Sequence, residues 1–347
     1  MKLKKLLALL LAAVMLLALA SCSGSDDDDA DTSDNTDTSD TAEENNSTDD
    51  DTVYNIGIIQ LVEHVALDNA TQGFEDALVE LLGEDHVTFD LQNAQGESTN
   101  CTTIANSLVS EGVDLIMANA TAALQSASAA TADIPILGTS VTDYATALSI
   151  SDWTGVVGTN VSGTSDLAPL DEQAELLAEL CPVEEYPTVG MVYCSGEANS
   201  VYQVTLVAEY LEEMGYTTVN YAFTDSNDIA SVVTNACENC DVLYVPTDNT
   251  AADNTETINN IAEPAGIPII AGEEGICQGC GIATLSISYY DIGYITGEMA
   301  YEILVNGADV STMEVQYAPE VTPEYVAERC EALGITVPEG YTAIEAN

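Results

Sequence analysis

Asp133-Ile134-Pro135-Ile136-Leu137 returns later in the chain as Gly266-Ile267-Pro268-Ile269-Ile270. Likewise Val113-Asp114-Leu115-Ile116-Met117 returns as Cys240-Asp241-Val242-Leu243-Tyr244-Val245. Each is a short apolar run behind a polar or glycine residue, the pattern of a strand buried on both faces. Each pair flanks a helix-length stretch in its own half of the chain. Two copies of one α/β unit account for the echo; chance likeness between buried strands is the competing explanation.

Working outward, strands are expected at Tyr54–Gln60, Val87–Leu91, Val113–Ala118 and Ile134–Gly138. After a crossing near Gly155–Asn160 the pattern restarts at Thr188–Tyr193, Thr217–Ala222, Val242–Pro246, Ile267–Ala271 and Ile282–Ile287. Amphipathic stretches between them predict helices over Ala66–Leu82, Thr99–Ser110, Asp166–Leu180, Val201–Met214 and Thr250–Ala265. Strands alternating with helices give an α/β fold with parallel sheets covered on both faces. The segment from residue 53 onward is long enough for two Rossmann-like lobes with a ligand cleft between them.

Ahead of that body stand Lys2, Lys4 and Lys5, an apolar run from Leu6 to Ala20, and Leu19-Ala20-Ser21-Cys22. A basic start, a short apolar core and small residues before the cut make a secretory signal over residues 1–21. The run is short of the ~20 residues a membrane span needs. A cysteine directly after Leu-Ala-Ser looks like a bacterial lipobox, with Cys22 as the lipidated N-terminus. Residues 22–52 are nearly all Ser, Asp, Thr, Glu, Asn, Gly and Ala, and hold thirteen acids. Such a segment buries too little apolar surface to offset chain entropy, so it is expected to be a disordered acidic tether. The protein is therefore expected outside the cytoplasm, held to the cell membrane by lipid.

Charge excludes whole classes of partner. The chain carries 59 Asp and Glu against four basic residues, three of them in the signal, which leaves Arg329 alone in the body. One cation cannot neutralise a phosphate backbone, so nucleic acid is excluded as a partner. No P-loop, His-Glu-x-x-His or Gly-x-Ser-x-Gly motif occurs, and His64 and His86 stand far from any nucleophile signature. No enzymatic activity is expected.

In open parallel sheets, ligands sit beyond the carboxyl ends of the strands. The residues there are Gln60, His64, Asn119, Thr121, Thr139, Ser140 and Asp143 in the first half. In the second half they are Ser195, Glu197, Asn199, Ser200, Thr247, Asp248, Asn249, Glu273 and Tyr289. Hydroxyls, amides and carboxylates dominate, although Asn199, Asp248 and Thr250 also stand where helix N-caps belong.

The same segments resemble bacterial ABC-transporter substrate-binding lipoproteins of the tryptophan- and tyrosine-uptake type. The likeness lies in Ile56-Gly57-Ile58-Ile59-Gln60-Leu61-Val62-Glu63-His64, Ala66-Leu67-Asp68 and Gln92-Asn93-Ala94-Gln95-Gly96. It continues in Val141-Thr142-Asp143, Gly163-Thr164-Ser165-Asp166 and Glu197-Ala198-Asn199-Ser200. Tyr244-Val245-Pro246-Thr247-Asp248-Asn249-Thr250 and Ser288-Tyr289-Tyr290-Asp291-Ile292-Gly293 complete it. The chain departs at Val65, where that family usually has proline, and at Ala122, where a proline often follows the threonine.

The resemblance implies a type I periplasmic-binding-protein fold with three crossings, the later two near Ile287 and Val315. Residues 53–162 plus 287–314 then form the N-terminal lobe, and 163–286 plus 315–347 the C-terminal lobe. It also implies a solute receptor that hands an amino acid, of aromatic type, to an ABC permease and its ATPase. With no lysine in the body, the ligand carboxylate must be held by hydroxyls, amides and helix N–H groups. Asn119, Thr121, Ser140 and Thr142 are the expected donors, with Gln60 and Asp143 beside them. Asp248 or Glu273 is the expected acceptor for the ammonium, with Asn199 and Asn249 nearby, while His64 and Tyr289 line a side-chain pocket. A sugar or nucleoside receptor of the same fold is the alternative, and an exported thiol- or metal-binding protein a more distant one.

Beyond Cys22, eight cysteines remain, including Cys237-x-x-Cys240 and Cys277-x-x-Cys280. The spacing suits a four-thiolate zinc site, but an exported chain favours disulfides, and free thiols survive in an anaerobic host. Disulfides or free thiols are expected, with no metal and no cofactor.

Overall fold

Tyr-Asn-Ile-Gly-Ile-Ile-Gln forms strand β1 (Tyr54–Gln60), buried from Ile56 to its end because helices cover both of its faces. The structure, a computed structural model, describes residues 52–346. The signal, Cys22 and all of the tether except Thr52 lie outside the described residues. Among those described, no helix is long and apolar enough to cross a membrane.

The first lobe continues through α1 (Val65–Leu82), β2 (Val87–Asn93), α2 (Ser98–Glu111) and β3 (Leu115–Asn119). It goes on with α3 (Thr121–Ala130), β4 (Ile136–Thr139), α4 (Tyr144–Leu148) and β5 (Val161–Ser165). The second lobe begins with α5 (Leu170–Leu180), β6 (Thr188–Cys194), α6 (Ala198–Glu213), β7 (Thr217–Phe223) and α7 (Ile229–Asn239). Then follow β8 (Val242–Val245), α8 (Asn249–Ala252), α9 (Thr255–Ala265), β9 (Ile269–Ala271), α10 (Glu274–Cys280) and β10 (Ala283–Ile287). The chain returns to the first lobe as α11 (Tyr289–Leu304) and β11 (Gln316–Tyr317). It ends in the second with β12 (Val321–Val326), α12 (Ala327–Leu333) and β13 (Thr342–Ile344).

The first sheet runs β11-β5-β4-β3-β1-β2, the second β13-β12-β10-β9-β8-β6-β7. All pairings are parallel except β10 with β12. One core on the first sheet holds Ile59, Leu108 and Leu124, and the other holds Ile58, Phe74 and Met299. The second sheet is likewise covered twice, around Met191 and Tyr244 on one face and Val192 and Leu243 on the other. Two parallel-sheet lobes of this kind make the type I periplasmic-binding fold.

Four expected boundaries change. Val161–Ser165 reads as loop because of its Ser, Gly and Thr, yet it is a fully buried strand of the first sheet. The division placed between residues 162 and 163 therefore falls inside β5, and the first crossing is Asp166–Pro169. Pro169 sets the start of α5 at Leu170 rather than Asp166, since proline disfavours helical geometry in the residue before it. The third crossing comes after Tyr317, not at Val315, because β11 still pairs with β5. The expected helix over Thr250–Ala265 is two helices, with Asn254 as the N-cap of the second.

Helices α1 and α11 join chain segments more than 200 residues apart, and they approach to backbone contact. A Cβ on Gly73 would lie 2.1 Å from the Tyr290 carbonyl oxygen, and one on Gly293 2.0 Å from that of Ala70. Gly293→Ala should therefore force the helices apart. Overpacking of about 3 kcal/mol, less about 1 kcal/mol gained in helix propensity, leaves a net loss of roughly 2 kcal/mol. Urea unfolding measures it, and an unchanged midpoint would show that the crossing has slack.

Candidate ligand-binding cleft

The carboxyl ends of β1, β3, β4 and β5 face those of β6, β8, β9 and β10 across the junction of the lobes. Around them the chain takes conformations that side chains rarely adopt. Ala120 (φ 93°, ψ 160°) turns β3 into α3, and Ser140 (φ 54°) turns β4 towards α4. For alanine this region is strained by about 1–3 kcal/mol, and such strain gathers at functional sites. No side chain caps the N-terminus of α3, so its first-turn amides are available to an anion.

Four buried polar atoms near these strand ends have no hydrogen-bond partner: Asn119 Oδ1, Ser140 Oγ, Thr142 Oγ1 and Asp166 Oδ1. Leaving such groups unpaired is costly, which marks the place where a polar ligand group belongs. Asp166 stands out. It is 4% exposed and lies on the first crossing, and its Oδ2 accepts from the Tyr289 phenol at 3.0 Å. Burial raises its pKa, while the Thr142 and Tyr289 hydroxyls and its own backbone draw it back. The Thr142 hydroxyl faces it without closing a hydrogen bond of good geometry.

The expected site residues fall into two groups. Ser140 and Thr142 carry unpartnered hydroxyls, and Thr121 opens the uncapped α3. Asn119, expected as a donor, spends its amide on Leu67 O (2.8 Å) and Thr71 Oγ1 (3.0 Å), so its bare Oδ1 only accepts. The others are engaged within the protein. Gln60 donates to Val62 O (3.0 Å) and Asp68 Oδ1 (2.6 Å) and accepts from Thr71 (2.7 Å). Asp143 caps α4 through Thr146 N (2.7 Å). Asn199 donates to Glu197, Ser200 and the Thr247 carbonyl. Tyr289 is turned onto Asp166.

Asp248 caps α8, with Oδ1 accepting from Ala251 N (2.8 Å) and Oδ2 from Cys194 N (2.6 Å). Glu273 caps α10 through the amides of Gly275 (2.7 Å) and Ile276. His64 reaches across the cleft to Asn249 Oδ1 at 3.2 Å. Asp166 is the carboxylate that the strand ends did not bring forward; Glu197 stood among them, and the structure binds it to Asn199, Asn249 and Thr250. The signal for Asp166 was its place directly after Gly-Thr-Ser, once that segment is seen as a strand.

Between the lobes lies a crevice of about 280 Å³. Leu61, Val62 and Ala122 line it from the first lobe, with Glu197, Asn249 and Thr250 opposite. None of Asn119, Ser140, Thr142 and Asp166 lines it, so this crevice lies apart from the unpartnered atoms. The lobes also touch where α4 meets α6 and where α1 meets α10, so the cleft is closed. Among the described residues all eight cysteines are free thiols, and no group of three or more metal-ligating side chains occurs.

The buried carboxylates couple stability to pH. Burial lifts Glu273 to about 7, against its two amide donors, and it raises Asp248 with help from neighbouring Glu197. A carboxyl with a higher pKa in the folded state binds protons there that the unfolded chain has shed. Its contribution is present at acid pH and lost as pH rises through the folded value. The melting temperature of the unliganded protein should therefore climb as pH falls from about 8 to about 5.5. Calorimetry that found a flat or opposite trend would contradict this assignment.

Comparison with known proteins gives the family. Residues 55–344 match the family described as ABC transporter substrate binding protein. A tyrosine-binding protein of Clostridioides difficile (strain R20291) is 38% identical over 263 residues, which is 75% of each chain. A Streptococcus pneumoniae ABC domain in complex with L-Trp shares 32% identity and superposes with a TM-score of 0.80, covering 84% of this chain and all of that one. A ligand-free, open substrate-binding protein with adhesive properties from Clostridium difficile shares 38% identity, over 85% of this chain and all of that one. Despite the higher identity its TM-score is only 0.65, in keeping with the closed cleft described above. This chain belongs to the ABC transporter substrate-binding protein family.

Proposed function

We propose that this chain captures a free amino acid with an aromatic side chain and delivers it to an ABC permease and its ATPase. Proteins of this family work outside the cytoplasm. The observation that carries the amino-acid reading is Asp166: a buried carboxylate with one bare oxygen, placed near unfilled donors. An ammonium supplies the charge and the hydrogen bonds that this oxygen lacks. The ligand carboxylate is then held by the first-turn amides of α3, the Ser140 hydroxyl and Thr121. The aromatic preference rests on the ligands in the names of the relatives, tyrosine and L-Trp.

Ligand groups that touch both lobes bind fully only when the cleft shuts, so the free-energy gain of closure is also the signal of loading. A change at Asp166 should therefore separate binding from folding. Asp166→Asn keeps shape and loses charge, and breaking a buried charge pair should weaken binding on the order of 30-fold or more. Asp248→Asn should leave affinity within about threefold, since asparagine caps a helix about as well as aspartate. Calorimetric titration with L-tryptophan, L-tyrosine and L-phenylalanine, beside melting of the unliganded variants, checks both. Unchanged affinity in Asp166→Asn removes it from the site. A response to a sugar or nucleoside and to no amino acid overturns the reading.

The reading includes a lipid anchor at Cys22, behind a cleaved signal over residues 1–21. Its support is the Leu19-Ala20-Ser21-Cys22 sequence and the acidic tether that follows. Cys22→Ser should leave ligand affinity unchanged and release the protein from the membrane fraction. A variant that stays membrane-bound would refute the anchor.

A further inference from the structure

His64 stands at the N-cap position of α1, but its side chain does not cap that helix. Its ring crosses the cleft instead, with Nε2 3.2 Å from Asn249 Oδ1 in the second lobe. Which atom donates is fixed by the far side. The Asn249 side-chain amide donates from Nδ2 to Glu197 Oε2 at 2.7 Å, so its oxygen must point at His64. An amide oxygen only accepts, and the His64 tautomer is therefore the one with the proton on Nε2.

Glu197 makes this arrangement rigid. It accepts from the backbone amides of Asn249 (3.0 Å) and Thr250 (2.9 Å), and from the Thr250 hydroxyl (2.7 Å). The start of α8 is thus tied to the start of α6, and the Asn249 oxygen is presented to the opposite lobe in one orientation. Directly beside it the lobes meet again: a Cβ on Gly275 would lie 3.6 Å from Val65 Cβ, so α10 rests on the first turn of α1. His64 and Val65 are neighbours, and both of their contacts exist only while the cleft is shut.

We infer that His64 and Asn249 form a latch between the lobes, oriented by Glu197, that holds the closed state and slows ligand escape without touching the ligand. His64 is then a positioning residue rather than part of the side-chain pocket. A bond made only in the closed state shifts the open–closed equilibrium by its own strength, with or without ligand. For one partly buried hydrogen bond that is about threefold to tenfold.

The inference uses the amino-acid reading for its first probe only. Stopped-flow chase of bound L-tryptophan from the full-length protein should show release about threefold to tenfold faster in His64→Ala, with the association rate unchanged. His64→Gln, whose amide can donate to Asn249, should restore slow release. Melting of the unliganded variants should match the parent, because His64 does not cap α1. A second readout needs no ligand: single-molecule transfer between dyes on the two lobes, recording closed-state dwell times. These should shorten in His64→Ala and recover in His64→Gln. Should the parent bind no aromatic amino acid, the amino-acid reading falls and the ligand-free dwell times alone decide the latch. Equal release rates, or equal dwell times, in parent and His64→Ala would overturn it.

Discussion

Every buried carboxylate in this protein has to be stabilised without the help of a lysine, because the body of the chain has none. Its one arginine serves the backbone instead: the Arg329 guanidinium donates to the carbonyls of Cys277, Gly279 and Gly281, where α10 ends. What remains for the acids is N–H and O–H. Asp248 and Glu273 turn to helix N-termini, where the amides are otherwise unpaired and the helix dipole favours negative charge. Glu197 gathers amides and a hydroxyl. Asp166 has one phenol and an unpartnered oxygen, and the cleft turns on it.

The same constraint shapes the surface. Where most proteins would place an ion pair, this chain places tyrosine against a carboxylate. Tyr290 donates to Asp76 at 2.9 Å, Tyr294 to Glu80 at 3.0 Å and Tyr341 to Glu179 at 2.8 Å. The first two pairs lie between α1 and α11, beside the glycines that let those helices touch. Sixteen tyrosines against three phenylalanines fit that use, since a phenol packs like a phenyl ring and still donates a proton.

The alternation of strands and helices was legible because buried parallel strands are written as unbroken apolar runs. Tyr54–Gln60 is bounded where the sequence places it, and Thr188 and Thr217 open their strands as expected. Val161–Ser165 was not legible: a strand between two covered faces can be built from Ser, Gly and Thr when a neighbour comes too close for larger side chains. A Cβ on Gly163 would lie 2.0 Å from the Gly138 carbonyl oxygen. The cleft itself was legible as a set of strand ends, but not the division of labour within it. An acid just after a strand and just before a helix suits a ligand ammonium and a helix cap equally well. Asp248 and Glu273 look alike in sequence for either role, and only the amides bound to them distinguish the two. Asp166 was masked by the helix that seemed to begin on it, until Pro169 moved that start.

The return of α11 and β11 to the first lobe bears on how the protein is made. The first lobe lacks the helix that covers Phe74 and Leu78, and the outer partner of β5, until residues 289–317 have been synthesised. By then all of the second lobe up to β10 has already emerged. The second lobe in turn waits for β12 and β13 at the very end. Neither half can be completed and set aside while the other is built, and the closing contacts span more than 200 residues of chain. Contacts that distant slow folding, because a long loop must close before they form. A chain of this order stays open until its last elements have been made.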